Sequence, residues 1–214
     1  MVLSEKYLKM NCLPLCMIYL GIVLLLAFFQ QEYSVIPQLN QKMAESETDV
    51  TSVIESFMRL RWFLIITPAV SILVRIAIIS SCLYVGSFFF FIEDETNSFS
   101  RWWNITVKSQ IIMIIYGVVV SLINILISSE AALAFPQKIS LLVLFDSQIP
   151  ERWMQIPLLA INIFEVLFWI LMSHFIAIKN RITLKESLRF VLFSYVMPYF
   201  IYMCFLVFIT IYVS

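Results

Sequence analysis

Five apolar runs constrain this chain more than anything else in it. Residues 12–29 carry no charge over 18 positions, 109–129 none over 21, and 190–214 none over 25. Two more runs, 62–92 and 153–178, hold one charge each, Arg75 and Glu165. A helix needs roughly 20 apolar residues to cross about 30 Å of hydrocarbon, so each run matches a membrane span. The composition agrees: the chain is 62% hydrophobic and 13% charged, with mean hydropathy +0.95. Soluble domains are about 25% charged and under about 50% apolar. A barrel would need alternating strands of about ten residues, whereas these runs are continuously apolar. The expected fold is therefore all-α, a polytopic membrane bundle of about five helices.

Three regions follow: 1–29, a first membrane helix; 30–61, a polar segment; and 62–214, four further spans. Lys6 and Lys9 precede the first run as in a signal peptide, but Ala27-Phe28-Phe29-Gln30 offers no small-x-small cleavage site. An uncleaved helix is expected. The second run is too long to stand upright, about 46 Å at 1.5 Å per residue. Pro68 favours one long helix bent near that residue; a re-entrant hairpin is the alternative. In the polar segment, Val50, Val53, Ile54, Phe57 and Met58 recur at helical spacing. They suggest an amphipathic helix, at the membrane interface or packed outside it, leading into span two.

Counting Lys and Arg on each side gives the orientation. Lys6, Lys9, Arg101, Lys108, Lys179, Arg181, Lys185 and Arg189 share one side, against Lys42, Arg59, Arg61, Lys138 and Arg152 on the other. The amino terminus is expected in the cytoplasm and the carboxy terminus outside. Trp62, Trp102, Trp103 and Trp153 fall at the expected interfaces.

Catalytic signatures are missing. One histidine, His174, cannot form a two-histidine metal site. Asp49, Asp94 and Asp146 lie between the runs, which excludes an intramembrane aspartyl dyad. The acidic stretch Glu93-Asp94-Glu95 reads as solvated loop. Cys12, Cys16, Cys82 and Cys204 form no Cys-x-x-Cys pair and read as packing residues. Three glycines leave no material for a phosphate loop, and no Gly-x-x-x-Gly occurs. Fourteen basic residues balance fourteen acidic ones, which gives no footprint for nucleic acid. Neither cofactor nor metal is expected. Asn104-Ile-Thr is a glycosylation sequon that the charge count places in the cytoplasm.

The carboxy-terminal part, about residues 60–214, resembles bacterial members of the Yip1 family. The resemblance rests on Ile139-Ser-Leu-Leu-Val-Leu-Phe-Asp146, then Pro150, a helix with Ile161-Asn-Ile-Phe-Glu-Val-Leu-Phe-Trp169, a basic turn over 179–189, and a last span. Phe99-Ser-Arg-Trp-Trp before span three fits the same order. Family members have Asp-Leu-Phe where this chain has Asn162-Ile-Phe164, and Glu165 has no counterpart. The tyrosine- and glycine-containing signature of eukaryotic members is absent, so their trafficking role does not transfer. The resemblance implies five spans, a cytoplasmic amino terminus and no catalytic residues. Ile-, Phe- and Lys-leaning usage points to a bacterium, hence to its inner membrane.

Two functions compete. The first is a non-enzymatic accessory or scaffold subunit of a membrane complex. Other membrane subunits or copies of itself would be its partners, with 50–58 and 137–152 as contact surfaces. The second is a small carrier or channel for a lipid, ion or solute, resting on the two intramembrane charges; a cavity reaching Arg75 or Glu165 would favour it. Counted from the ends of their runs, both charges sit near mid-depth. A charge at the bilayer centre costs about 2.5–3.5 kcal/mol on insertion scales. Arg75 and Glu165 are therefore expected to pair between spans two and four. Snorkelling of Arg75, or a Glu165 bonded to Asn162 or to a partner subunit, are the alternatives.

Overall fold

A computed structural model describes residues 11–32, 50–90, 97–126, 140 and 161–213, with the backbone alone for 50–58, 125, 210, 211 and 213. The helices are α1 (Cys12–Gln30), α2 (Val50–Phe89), α3 (Phe99–Ser109), α4 (Ile111–Leu126), α5 (Ile163–Asn180), α6 (Leu184–Val191) and α7 (Met197–Val213). A π-helical turn, Leu192–Val196, joins α6 to α7. Five helical stretches are long and apolar enough to cross a membrane: Cys12–Gln30, Arg59–Phe89, Phe99–Asn124, Ile163–Asn180 and Leu184–Ile209. No strand occurs among the described residues; the β-pairing there is one isolated bridge, Ser140 with Asn162. The fold is an all-α bundle, and its apolar helices make it a membrane protein. The contact loop expected over 137–152, apart from Ser140, lies outside the described residues. So do Glu93-Asp94-Glu95, Trp153 and residues 33–49 of the polar segment.

Helix α2 passes through Pro68 without interruption, which removes the hairpin. Proline withdraws one backbone donor inside the helix. Beside it, Thr67 satisfies its own hydroxyl within the helix, Oγ1 donating to Phe63 O at 2.7 Å. The expected amphipathic segment is not a separate helix but the beginning of α2. The boundary at 61/62 therefore falls inside one rod of 40 residues, about 60 Å long. That is twice the hydrocarbon thickness, so the amino-terminal part of α2 stands clear of it. Arg61 is held there by an ion pair with Glu32 and lies over the Phe28 ring.

Three spans start elsewhere than the uncharged runs suggest. Span three begins at Phe99, capped by Ser98, whose Oγ accepts from the Arg101 N–H. Lys108 is thus no loop residue but fully buried in the bundle. Trp102 is likewise fully buried, and its Nε1 donates to Asn97 Oδ1 at 2.8 Å. Span five begins at Leu184, where Thr183 and Glu186 form a capping box. Span four, α5, begins at Ile163 with Asn162 as its cap, ten residues later than the run beginning at Trp153.

Two clusters make the core. The larger joins α2, α3, α5, α6 and the π turn through Leu83, Trp102, Phe168, Met172, Phe190 and Tyr195. The smaller packs α1 onto α2, α3 and α4 through Tyr19, Ile76, Val107 and Ile114. Small hydroxyl residues sit where helices meet, and several of the hydroxyls bond a nearby carbonyl. Ser80 donates to Ile76 O at 2.7 Å and Ser173 to Trp169 O at 2.8 Å. Ser187 reaches across to Ser173 O at 2.6 Å, tying α6 to α5. At these positions serine provides the close approach that glycine often provides in membranes, with its hydroxyl satisfied.

The Arg75–Glu165 centre and its groove

Asn162 precedes the first turn of α5 in an extended conformation, and its Oδ1 accepts the Glu165 backbone N–H at 2.9 Å. Asn162 therefore serves Glu165 through the main chain, not through the carboxyl group. The cap fixes Glu165 in the first turn, where the positive end of the helix dipole favours a carboxylate. Glu165 is thus at the start of its helix rather than at its middle, as the run from Trp153 had placed it. Arg75 lies 14 residues before the end of α2 and Glu165 lies 15 before the end of α5, about 21 and 22 Å. Those two ends share one end of the bundle: Arg101 of α3 bonds Asn180 Oδ1, and Asn97 Nδ2 donates to Ser87 Oγ at 2.8 Å. The charges match in depth because both are measured from the same end.

The structure brings the two side chains together. Arg75 Nη2 lies 2.8 Å from Glu165 Oε1 and 2.6 Å from Oε2. Its guanidinium also stands over the Phe168 ring, 5.2 Å from the centroid, a cation–π contact. The carboxylate has two further donors. Trp169 Nε1, one helical turn along, reaches Oε1 at 3.1 Å, and the Tyr195 hydroxyl reaches it at 3.2 Å. Glu165 is 3% exposed, Arg75 30%. One side of the centre is sealed; the other opens.

Arg75 opens into a cavity of about 410 Å³ between α2 and α7, lined also by Ser71, Cys82, Tyr195, Tyr199 and Tyr202. The backbone explains it. Pro198 has no N–H to continue the ladder and its ring crowds the carbonyl four residues earlier. The turn before it widens to π geometry, with the Met197 N–H bonded to Leu192 O. Such bulges reorient side chains, and this one aims Tyr195 at Glu165. Beyond it α7 has little contact with the other helices. A second cavity of about 340 Å³ continues along the same seam past Cys82 and Pro198 to Phe89 and Phe193.

Where α2 meets the π turn the helices touch at Gly86. A Cβ there would lie 2.0 Å from Ser194 Oγ and 2.4 Å from Ser194 Cβ. The other residues singled out in the sequence stay apart from the centre. His174 is exposed on α5 beside Phe175. All four cysteines are free, and only Cys82 lines the groove. Asn104 is inside α3. Among the described residues no group of three or more His, Cys, Asp or Glu could hold a metal. Sequence reasoning missed Trp169, Tyr195, Tyr199 and Tyr202. Trp169 was within reach, four residues after Glu165 on one helix face; the tyrosines depend on the π turn and carried no local signal. Comparison with protein-family models, curated proteins and solved structures finds no match for this chain.

Proposed function

We propose that the protein is a non-enzymatic membrane protein that binds an amphiphilic, lipid-like molecule in the groove between α2 and α7, as a carrier or lipid-responsive protein would. The observation that carries this reading is the cavity of about 410 Å³ reaching Arg75. Its size fits a ligand pocket, commonly 300–1,000 Å³, apolar with a few convergent polar groups. The opening lies along helix faces that carry exposed Val74, Ile78 and Tyr202, so a ligand reaches it sideways from lipid. An aqueous channel is a poorer fit, because the groove is walled by apolar side chains and sealed at Glu165. The accessory-subunit reading draws on the lack of catalytic signatures, the few loop residues and the Phe-rich helices, not on a site in the bundle.

Native mass spectrometry of the protein released from mild detergent tests the reading. One bound lipid-derived molecule is expected per chain, and Cys82→Trp, which fills the seam from α2, should lose it while the protein stays folded. A ligand-free chain that instead retains a stoichiometric protein partner would favour the subunit role.

A further inference from the structure

The hydrogen-bond inventory of the centre is lopsided. Glu165 accepts from Arg75, Trp169 and Tyr195, so its acceptor capacity is largely filled. Arg75 spends one nitrogen, Nη2, on both bonds to Glu165. A guanidinium has five N–H donors, so three are not used on the carboxylate. One of them, on Nε, is buried and has no hydrogen-bond acceptor among the described residues. Tyr199 and Tyr202 add hydroxyls to the same groove wall. The groove therefore offers donors, and a fitting ligand brings acceptors.

Charge points the same way. Arg75 and Glu165 cancel, but Glu165 sits in the first turn of α5, and a helix amino terminus carries about half a positive charge. The centre keeps a small positive excess. That excess suits a single negative charge. A phosphate monoester, at about −1.5 to −2, would exceed that excess by much more than a carboxylate does.

Length supplies the tail. The two cavities run along α2 from Ser71 to Phe89. From Arg75 to Phe89 is 14 residues, about 21 Å, longer than the roughly 15 Å that one leaflet gives an acyl chain. Gly86 lets the π turn close on α2 along that stretch, so the seam is bounded by two helices and fits one chain.

We infer that the groove takes a long-chain carboxylate, its head bonded to Arg75 and its tail lying along α2 toward Phe89. The inference rests on the proposed lipid-binding role and specifies its ligand. The test uses the full chain in lipid nanodiscs, with uptake into empty nanodiscs subtracted. Four probes are compared: oleate, its methyl ester, oleylamine and oleoyl lysophosphatidate. Oleate should bind at least tenfold more tightly than the ester, and the amine should not compete. The charge-free variant Arg75→Gln with Glu165→Gln should bind oleate and ester alike. Equal binding of oleate and ester by the unaltered protein would overturn the carboxylate assignment and leave the lipid-binding role standing. Tightest binding of the amine or of the lysophosphatidate would overturn it too. Failure of all four to bind would remove both.

Discussion

Removing one member of the Arg75–Glu165 contact leaves the other as a buried charge, which typically costs about 3–5 kcal/mol. Arg75→Leu and Glu165→Leu should each lower folded yield and melting temperature in detergent by an amount of that order. The double Leu variant should recover most of the loss, since apolar residues often replace a buried pair. The recovery should be incomplete for a reason visible only in the structure. Trp169 Nε1 and the Tyr195 hydroxyl also donate to Glu165, and each buried donor left without an acceptor costs about 1–3 kcal/mol. Adding Tyr195→Phe to the double variant should bring stability up again. If the losses of the single variants add in the double, the two charges are not energetically coupled. The sequence suggested that these charges meet but for a partly mistaken reason. It located Glu165 by the length of an uncharged run, whereas the Asn162 cap locates it at the first turn of α5.

Helix boundaries and crossings are where local chemistry and packing compete. Gly86 costs about 1 kcal/mol relative to alanine in a helix, so Gly86→Ala would stabilise α2 by itself. In the bundle the added Cβ meets Ser194. The Oγ could rotate away, but Ser194 Cβ, 2.4 Å off, is fixed by its backbone. The crowding should win, by about 1–3 kcal/mol. Gly86→Ala should lower the melting temperature, and Ser194→Gly in the same chain should restore much of it. An unchanged melting temperature would mean that α2 and the π turn are not tightly seated. A second boundary has the opposite sign. Arg181 closes α5 at φ 54°, and the Ile182 N–H bonds Ala177 O at 3.2 Å, a Schellman closure. That left-handed position costs arginine more than glycine, so Arg181→Gly should raise stability by up to about 1 kcal/mol in a thermal melt. Neither position stands out in the sequence; both became specific once φ and the crossing were known.

Over the whole molecule, the pairing of helix ends constrains topology. The starts of α3 and the end of α5 meet through Arg101 and Asn180, so the connections after spans two and four lie at one end of the bundle. The basic residues of that end decide which side of the membrane it faces. Lys108 leaves the count because it is buried, and seven positive residues remain against five, which still favours the cytoplasm. Reporters inserted at 96–100 and at 180–183 should therefore read as cytoplasmic, and a fusion after Ser214 as external. A cytoplasmic signal from the Ser214 fusion would require an even number of crossings and would reverse the expectation for the carboxy terminus.

Hydrophobicity is additive along a chain, which is why the sequence alone determined the all-α membrane architecture and the number of spans. Lipid leaves a continuous apolar run of this length few structures but a helix. The same additivity made the edges of the spans unreliable. Lys108 and Trp102 look like boundary material, yet neighbouring helices bury them, and α6 is helical from the capping box at Thr183. The pairing of Arg75 with Glu165 was partly legible, because an intramembrane charge has few affordable partners. The tyrosines, the π turn at Pro198 and the groove were not, because each depends on how α7 diverges from α2. That divergence follows from a missing backbone donor and a glycine contact between residues more than a hundred positions apart, and only the tertiary structure decides it.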